Sequence, residues 1–440
     1  VTGRVFHTSD WHLGRQIGRY RRDTEVDAVL DEIIDIAADF APDLIVHSGD
    51  LFDSSRPGLD DLRRAAQVLR RLGEIAPVVV VAGNHDTTYV LAFLKFMLSD
   101  MGTREGDEAR VRFATDARPD GLLVAEYPTR GGELTLRIGA LPYLHPNRFT
   151  YDFADPGMTT AAYTERIRIV QADVYRRLAA GRGARDVLIF AAHLFVEGAT
   201  PSHSERKISL AAEYAAAAAD LPEVAYGALG HIHKQQSVGR AGFPAHYAGS
   251  PLQMDFGERG DTKGVVLAEV GPGIEPRIDF VPLTAGRRLI RLEGTLEEIT
   301  QRASRVGDAW VKAVVNVEVS NPFLPDTLAK MMPQATLVDI DERRTGAADR
   351  VLDREASTGE LPDVEDLLRD YLPGRGTTGL ALDRAMAALA HLQAEPDPDD
   401  PAPCCEENLL TAAIAGQSLD TIDRSGLLPG IDTPGAETTR

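Results

Sequence analysis

Val5-Phe6-His7-Thr8-Ser9-Asp10-Trp11-His12 opens the chain with an apolar start that runs into an Asp-x-His pair. The apolar part reads as a buried parallel strand, and two metal-capable side chains stand just past its carboxyl end. The pattern recurs along the chain. Asp43-Leu44-Ile45-Val46 leads to Gly49-Asp50, and Val78-Val79-Val80-Val81 leads to Gly83-Asn84-His85-Asp86. Asp186-Val187-Leu188-Ile189-Phe190 leads to His193, and residues 224–229 lead to Gly230-His231-Ile232-His233. In open α/β sheets, sites form beyond the carboxyl ends of strands, so five such clusters can converge although they are far apart in sequence. Together they supply enough ligands for two metal ions.

Carboxylate and amide oxygens mixed with imidazole nitrogens, and no thiolate, suit manganese, iron(II), zinc or magnesium rather than a structural cysteine–zinc site. One carboxylate shared by both ions, assigned to Asp50, would hold them roughly 3.5 to 4 Å apart and clamp a phosphoryl group for in-line attack. Gly49, Gly83 and Gly230 precede the ligands and are expected to let the backbone turn sharply there. A lone His after an apolar strand, such as His193, is by itself more often a satisfied core residue; the ordered set of five carries the metal reading. His7 and His47 lie inside strands and read as packing or supporting groups. His145 and His246 either line the cleft or sit on surface loops, and His203 and His391 read as solvent-facing.

Asp-x-His, Gly-Asp, Gly-Asn-His-Asp, a lone His and Gly-His-x-His, in that order, resemble the calcineurin-like metallophosphoesterases. The fuller wording His7-Thr8-Ser9-Asp10-Trp11-His12-Leu13-Gly14, Gly49-Asp50-Leu51-Phe52-Asp53 and Gly249-Ser250-Pro251-Leu252 is similar to the bacterial SbcD-type DNA-repair nucleases among them. The resemblance covers about residues 4–345 and is most specific in the first 260. It implies an α/β sandwich of two sheets flanked by helices, with a smaller α/β capping domain and C-terminal helices. It also implies that Asp10, His12, Asp50 and His233 hold one divalent ion and that Asp50, Asn84, His193 and His231 hold the other, both expected to be manganese. His85 is then no ligand; it contacts the scissile phosphate and protonates or stabilises the leaving oxygen, with Asp86 orienting its ring. Archaeal and eukaryotic relatives usually carry His where this chain has Asp53, a departure that favours the bacterial branch and leaves the role of Asp53 open.

The activity implied is two-metal hydrolysis of DNA phosphodiester bonds, as double-strand exonuclease and single-strand endonuclease, in repair, recombination and replication. The partners implied are DNA, an SbcC-like coiled-coil ATPase and a second copy of the chain, paired through the helices after the second and third motifs. Two other readings compete. A stand-alone phosphoesterase for nucleotides or phosphoproteins would use the same metal core without such a capping domain. A catalytically silent structural subunit predicts lost ligands, and none is lost.

A chain of 440 residues is too long for one core and implies two domains plus extensions. The boundaries expected are 1–283 for the nuclease domain, 284–345 for the capping domain, 346–393 for C-terminal helices and 394–440 for a disordered acidic tail. Helices are predicted at 23–40, 59–72, 89–99 and 160–179, with a more antiparallel sheet edge after Gly264. A compact βαβαβ unit follows, with strands at 288–292, 313–319 and 336–340 and helices at 296–305 and 325–331. Two amphipathic helices are predicted at 362–372 and 380–392; they either dock on the ATPase, as the resemblance implies, or pack on the capping domain.

Hydrophobic residues at 43% and charged residues at 26% are ordinary for a soluble globular protein. No apolar stretch approaches the roughly 20 residues that span a bilayer, and a strand begins within a few residues of the start, leaving no room for a signal peptide. The expectation is a cytoplasmic protein with no membrane attachment. Cys404 and Cys405 are adjacent, which excludes a disulfide framework. A net charge of −20 argues against simple coating of DNA, because non-specific affinity comes from neutralising phosphates. Eight of those twenty excess charges, however, lie in residues 395–440, where ten acidic residues face only Arg424 and Arg440. Two divalent ions would offset several more.

Overall fold

The computed structural model of the protein describes residues 1–99, 110–116, 123–145, 156–202, 204–205, 216–239 and 241–344, together with Arg369, Leu372, Leu382, Ala385 and Met386. The chain divides into two compact units, Val1–Ala347 and Ala348–Arg440. In the second unit the five described residues are helical; the remainder of the two helices expected there lies outside the described residues, as do the acidic tail, Cys404, Cys405, His203 and His391.

The first unit begins with β1 (Gly3–Thr8), the short hairpin β2 (Gln16–Ile17) and β3 (Tyr20–Arg21), and α1 (Asp23–Phe40). There follow β4 (Leu44–His47), α2 (Leu59–Ile75), β5 (Val78–Val81), α3 (Thr88–Ser99) and β6 (Val111–Ala114). β1, β4, β5 and β6 run parallel, and helices connect them as parallel crossovers require. The chain then builds a second sheet from β7 (Leu123–Pro128), β8 (Thr135–Leu141), α4 (Pro156–Ala179), β9 (Asp186–His193), β10 (Tyr226–Gly230), β11 (Gln236–Ser237) and β12 (Ala245–Tyr247). β8, β9, β10 and β12 are parallel, with β7 and β11 antiparallel at the two edges. Finally β13 (Gly264–Val270) and β14 (Arg277–Pro282) return antiparallel to the first sheet, whose order becomes β14-β13-β1-β4-β5-β6.

The two sheets pack face to face, and this explains why the strands read as unbroken apolar runs. Alternate residues of a strand point to opposite faces. On the inner faces Val5, Leu44, Val46, Val79 and Val81 meet Leu136, Ile138, Val187, Ile189 and Ala228. On the outer faces Phe6, Ile45, Val78 and Val80 pack under α1 and α2, through Val29, Ile33, Leu69 and Leu72. Leu188 and Phe190 of β9 do the same with Ile167, Val174 and Leu178 of α4. Both faces are dry, so no polar alternation survives; each fully buried Val, Leu or Ile contributes about 1.5 to 3 kcal/mol. The predicted sandwich and its four long helices are therefore present, with boundaries moved by a few residues.

A third, three-stranded sheet follows. β15 (Leu289–Thr295), β16 (Trp310–Val317) and β17 (Thr336–Arg344) are parallel in the order β15-β16-β17, connected by α5 (Leu296–Ala303) and α6 (Leu324–Met331). Thr295 and Glu298 close a capping box on α5. Ile299, Leu328, Val311, Ala313 and Val315 form a core of their own. Glu25, at the start of α1, joins this sheet to the sandwich: it accepts from Trp310 Nε1 (2.9 Å) and from the Arg287 main-chain N–H (2.8 Å), and Arg22 neutralises it.

Candidate metal centre

Asp10, His12, Asp50, Asn84, His193, His231 and His233 converge at the carboxyl ends of β1, β4, β5, β9 and β10. The loops after β1 and β4 stay zipped together beyond their strands. Asp10 N–H donates to Gly49 O (2.9 Å), His12 N–H to Asp50 O (3.1 Å) and Leu13 N–H to Leu51 O (3.0 Å). The zipper forces unusual backbone. Asp10 (φ 52°), His12 (45°), Asp50 (52°) and His231 (101°) are four of the five non-glycine residues with left-handed φ among the described residues. Such conformations cost on the order of 1 to 3 kcal/mol each and gather at functional sites.

Two groups of ligand atoms meet at Asp50. On one side His12 Nε2 lies 3.0 Å from His233 Nε2 and 3.5 Å from Asp50 Oδ2; Asp10, His12 and His233 bring their ligand atoms within 4.8 Å of one another. On the other side His193 Nε2 lies 3.0 Å from Asn84 Oδ1, 3.2 Å from His231 Nδ1 and 3.5 Å from Asp50 Oδ2. Asn84 Oδ1 and His231 Nδ1 are 2.8 Å apart. A single oxygen, Asp50 Oδ2, is thus equidistant from the two groups. The other oxygen, Oδ1, accepts the His85 main-chain N–H at 2.8 Å.

The donor chemistry of this cluster fits divalent cations. His193 donates its Nδ1 proton to Ser48 O at 2.9 Å, so its Nε2 presents a lone pair. That lone pair faces a carboxylate oxygen, an amide oxygen and a second ring nitrogen, a donor set that suits a divalent cation. Burial opposes a charge on His193, yet Asp50 and, farther off, Asp10 hold its pKa at about 9. Burial would raise the Asp50 carboxyl, but His193, His12 and His85 hold it well below the ordinary carboxylate range. A metal would compete with protons for the same lone pairs.

Only one of the three glycines acts as expected. Gly49 does take a left-handed φ of 118°, and a Cβ there would also lie 2.1 Å from His193 Nδ1. Gly83 and Gly230 have no such φ; their need is space. A Cβ on Gly83 would meet Asp50 Oδ1 at 2.1 Å, and one on Gly230 would meet Ser48 O at 2.2 Å.

Among the described contacts the His85 ring meets Asp53, and the expected pairing with Asp86 is not among them. His85 Nδ1 meets the Asp53 main-chain carbonyl at 2.6 Å. The Asp86 carboxylate instead accepts three main-chain N–H groups, from Gly83 (2.9 Å), Phe52 (3.1 Å) and Leu51 (3.2 Å). The physical reason is that the loops after β4 and β5 leave those donors unpaired in a buried place, where they are costly unless satisfied. Burial, and then the charge of Asp50, push the Asp86 carboxyl up to about 6. Asp86 shapes the loop that carries Asp50, and Asp53 orients His85.

Asp53 has a second contact, its carboxylate lying 3.4 Å from His12 Nδ1 and 3.3 Å from Arg15 Nη1. Arg15 lines the cleft together with His12, Asp50, Asn84, His85, Ser204 and Glu205. Its buried Nε has no hydrogen-bond partner among the described residues. Tyr143 stacks on His231 with ring centres 5.7 Å apart. The sequence signals for these residues are weak: an Arg after a motif, and a Tyr in a Pro-flanked loop.

The remaining described histidines stand apart from the ligand set. His7 is fully buried between the sheets, each ring nitrogen 2.8 Å from a hydroxyl, of Tyr226 and of Ser48. Burial, with His246 and His47 nearby, lowers its pKa to about 3, and burial with His193 does the same for His47. His47 packs edge-on against Trp11. His246 stacks on Tyr226, and His145 is exposed beside Tyr143.

Residues 3–235 match the family model described as calcineurin-like phosphoesterase. Among curated proteins, the chain is 33% identical over 325 residues to the SbcD subunit of nuclease SbcCD from Bacillus subtilis, a match covering 71% of this chain and 79% of that protein. The protein of the same name from Escherichia coli K12 is 28% identical over 339 residues, covering 74% of this chain and 81% of that one. The Rhodobacter capsulatus counterpart is 29% identical over 324 residues, covering 69% and 76%.

Proposed function

We propose that this chain, which belongs to the calcineurin-like phosphoesterase family, is the nuclease subunit of an SbcC–SbcD-type complex and hydrolyses DNA phosphodiester bonds with two divalent ions. The observation that carries the two-ion reading is the position of Asp50 Oδ2, 3.5 Å from both His12 Nε2 and His193 Nε2. Asp10, His12, Asp50 and His233 would hold one ion, and Asp50, Asn84, His193 and His231 the other. Mixed oxygen and imidazole ligands suit manganese. When bound, the pair supplies positive charge against the phosphoryl oxygens and lowers the pKa of an attacking water.

The protein's own groups do the rest. Asp50 anchors the loop bearing Asn84 and His85 through the His85 N–H. The Asp53 carbonyl accepts from His85 Nδ1 and so orients the ring, whose Nε2 in the charged form would give its proton to the leaving oxygen. Arg15, its Nε unpaired among the described residues, offers positive charge at the cleft wall for a neighbouring phosphate. Linear duplex DNA, single-stranded DNA, a small phosphodiester and a phosphopeptide, assayed side by side with manganese, test the assignment. DNA cleavage is expected; turnover of phosphopeptide or nucleotide alone would instead support a stand-alone phosphoesterase.

The partner reading rests on two surfaces. Tyr89, Phe93 and Phe96 share one face of α3 at helical spacing and are 89%, 50% and 60% exposed, while Leu91 and Leu94 of the same helix are buried. We propose that this face pairs with its copy in a homodimer. Burying one phenylalanine is worth about 1.5 to 3 kcal/mol, so Phe93→Glu with Phe96→Glu should convert dimer to monomer by light scattering. A monomer mass for the unaltered chain at micromolar concentration would refute the pairing. The second is the segment 346–393, where the sequence predicts a pair of amphipathic helices, and we assign it to the coiled-coil ATPase. Removal of residues 346–440 should abolish ATPase binding in a pull-down while manganese-dependent cleavage of a small phosphodiester persists, since every ligand precedes Gly346. The reverse result would mean that the helices serve the nuclease domain.

Among the described residues no helix is long and apolar enough to cross a membrane. A bacterial subunit that works on chromosomal DNA would act in the cytoplasm, and that is the location assigned with this function.

A further inference from the structure

Behind His233 lies a buried ion pair that belongs to none of the ligand motifs. Glu258 is fully buried and Lys263 is 8% exposed, with Lys263 Nζ 2.7 Å from Glu258 Oε2. Two charges out of water are tolerated only when every donor and acceptor is matched. Here they are. The three protons of Lys263 go to Glu258 Oε2, to the His233 carbonyl (2.9 Å) and to Ser250 Oγ (2.9 Å). Glu258 Oε2 also accepts the Met254 N–H at 2.9 Å, and Oε1 accepts from the hydroxyls of Ser202 (3.0 Å) and Ser204.

His233 is the residue on which this network closes. Its Nδ1 lies 2.5 Å from Ser204 Oγ and 3.3 Å from Glu258 Oε1. The ring N–H donates to the serine oxygen, and the serine hydroxyl donates to the carboxylate. Glu258 therefore holds the ring directly and through Ser204, while Lys263 holds the carbonyl of the same residue. The His233 main-chain N–H is held too, by Glu205 Oε1 at 3.0 Å. With Nδ1 protonated, Nε2 is left as the coordinating atom, and it is the atom that faces His12 Nε2 at 3.0 Å. Glu258 does not line the cleft, so it acts through His233.

We propose that the Glu258–Lys263 pair is a positioning device for His233, fixing the tautomer and orientation of that one ligand and so tuning the affinity of one of the two metal positions. The proposal rests on the two-metal reading above. Carboxylates and carbonyls that hold a ligating imidazole are typically worth 10- to 100-fold in metal affinity. None of the described contacts joins Asn84, His193 or His231 to the pair, and that side is expected to be indifferent to it.

The test is titration calorimetry of the full-length chain with manganese alone, on the unaltered protein, Glu258→Gln and Glu258→Gln/Lys263→Met. The double variant removes both buried charges and keeps the measurement available should the lone lysine unfold the single variant. The unaltered protein is expected to bind two equivalents. In the variants one affinity should fall 10- to 100-fold while the other stays within about twofold. Two unchanged affinities, or two that weaken together with a lowered melting temperature, would reduce the pair to a packing element and overturn the proposal. An unaltered protein that binds no manganese would instead refute the metal reading on which it rests.

Discussion

Asp50→Ala should leave a folded protein that retains neither manganese equivalent and cleaves no phosphodiester above background. The expectation follows from one atom: Asp50 Oδ2 is 3.5 Å from a ring nitrogen of each ligand group, His12 and His193. Removing it takes a ligand from both positions at once and deletes the acceptor that holds the His85 N–H. It also relieves burial of a carboxylate and places alanine at a φ of 52°, so the change in stability is small against the change in function. Metal analysis after dialysis, with circular dichroism on the same preparation, checks it. One equivalent retained at the original affinity would show that Asp50 serves a single ion.

His85→Ala should do the opposite to metal content, keeping both equivalents while turnover falls by about 10² to 10⁴, the usual worth of a general acid. That corresponds to about 3 to 5 kcal/mol of transition-state stabilisation. The ring stands edge-on to His12, with centres 4.8 Å apart, and His12, Asp50 and His85 bring ligand atoms within 4.8 Å of one another. A direct metal role for His85 is therefore the competing reading. The two separate cleanly, because a ligand would take metal with it when removed. Metal content and turnover of a small phosphodiester, measured on one preparation, decide: near-normal turnover or loss of an equivalent overturns the acid assignment.

The difference between His85 and Asp86 shows what a motif conceals. Their adjacency suggests a catalytic pair, yet Asp86 is used by three main-chain donors and Asp53, from another loop, holds the ring. The glycines teach the same lesson. Gly49, Gly83 and Gly230 stand out in the sequence as turn formers, but the last two are required because Asp50 and Ser48 come within about 2 Å of where a Cβ would be. Close approach between loops distant in sequence leaves no local signal.

The ordered clusters and the apolar runs before them pointed to buried strands with metal-capable residues at their carboxyl ends, the four long helices and the βαβαβ unit, and the two-sheet sandwich followed from the family resemblance that those clusters carry. That much is legible because strands buried on both faces must be continuously apolar, and because metal chemistry restricts ligands to a few residue types that recur at strand ends. Only the tertiary structure decided that Asp50 Oδ2 lies between the two ligand groups, that Asp53 orients His85, and that Glu258 and Lys263 stand behind His233. These depend on groups brought together from well-separated parts of the chain, for example His233 with Glu258, His85 with Asp53 and His193 with Asp50. Glu, Lys and Asp are ordinary surface residues in any sequence. It is burial, and the need to satisfy every polar atom once water is excluded, that turns them into parts of the site.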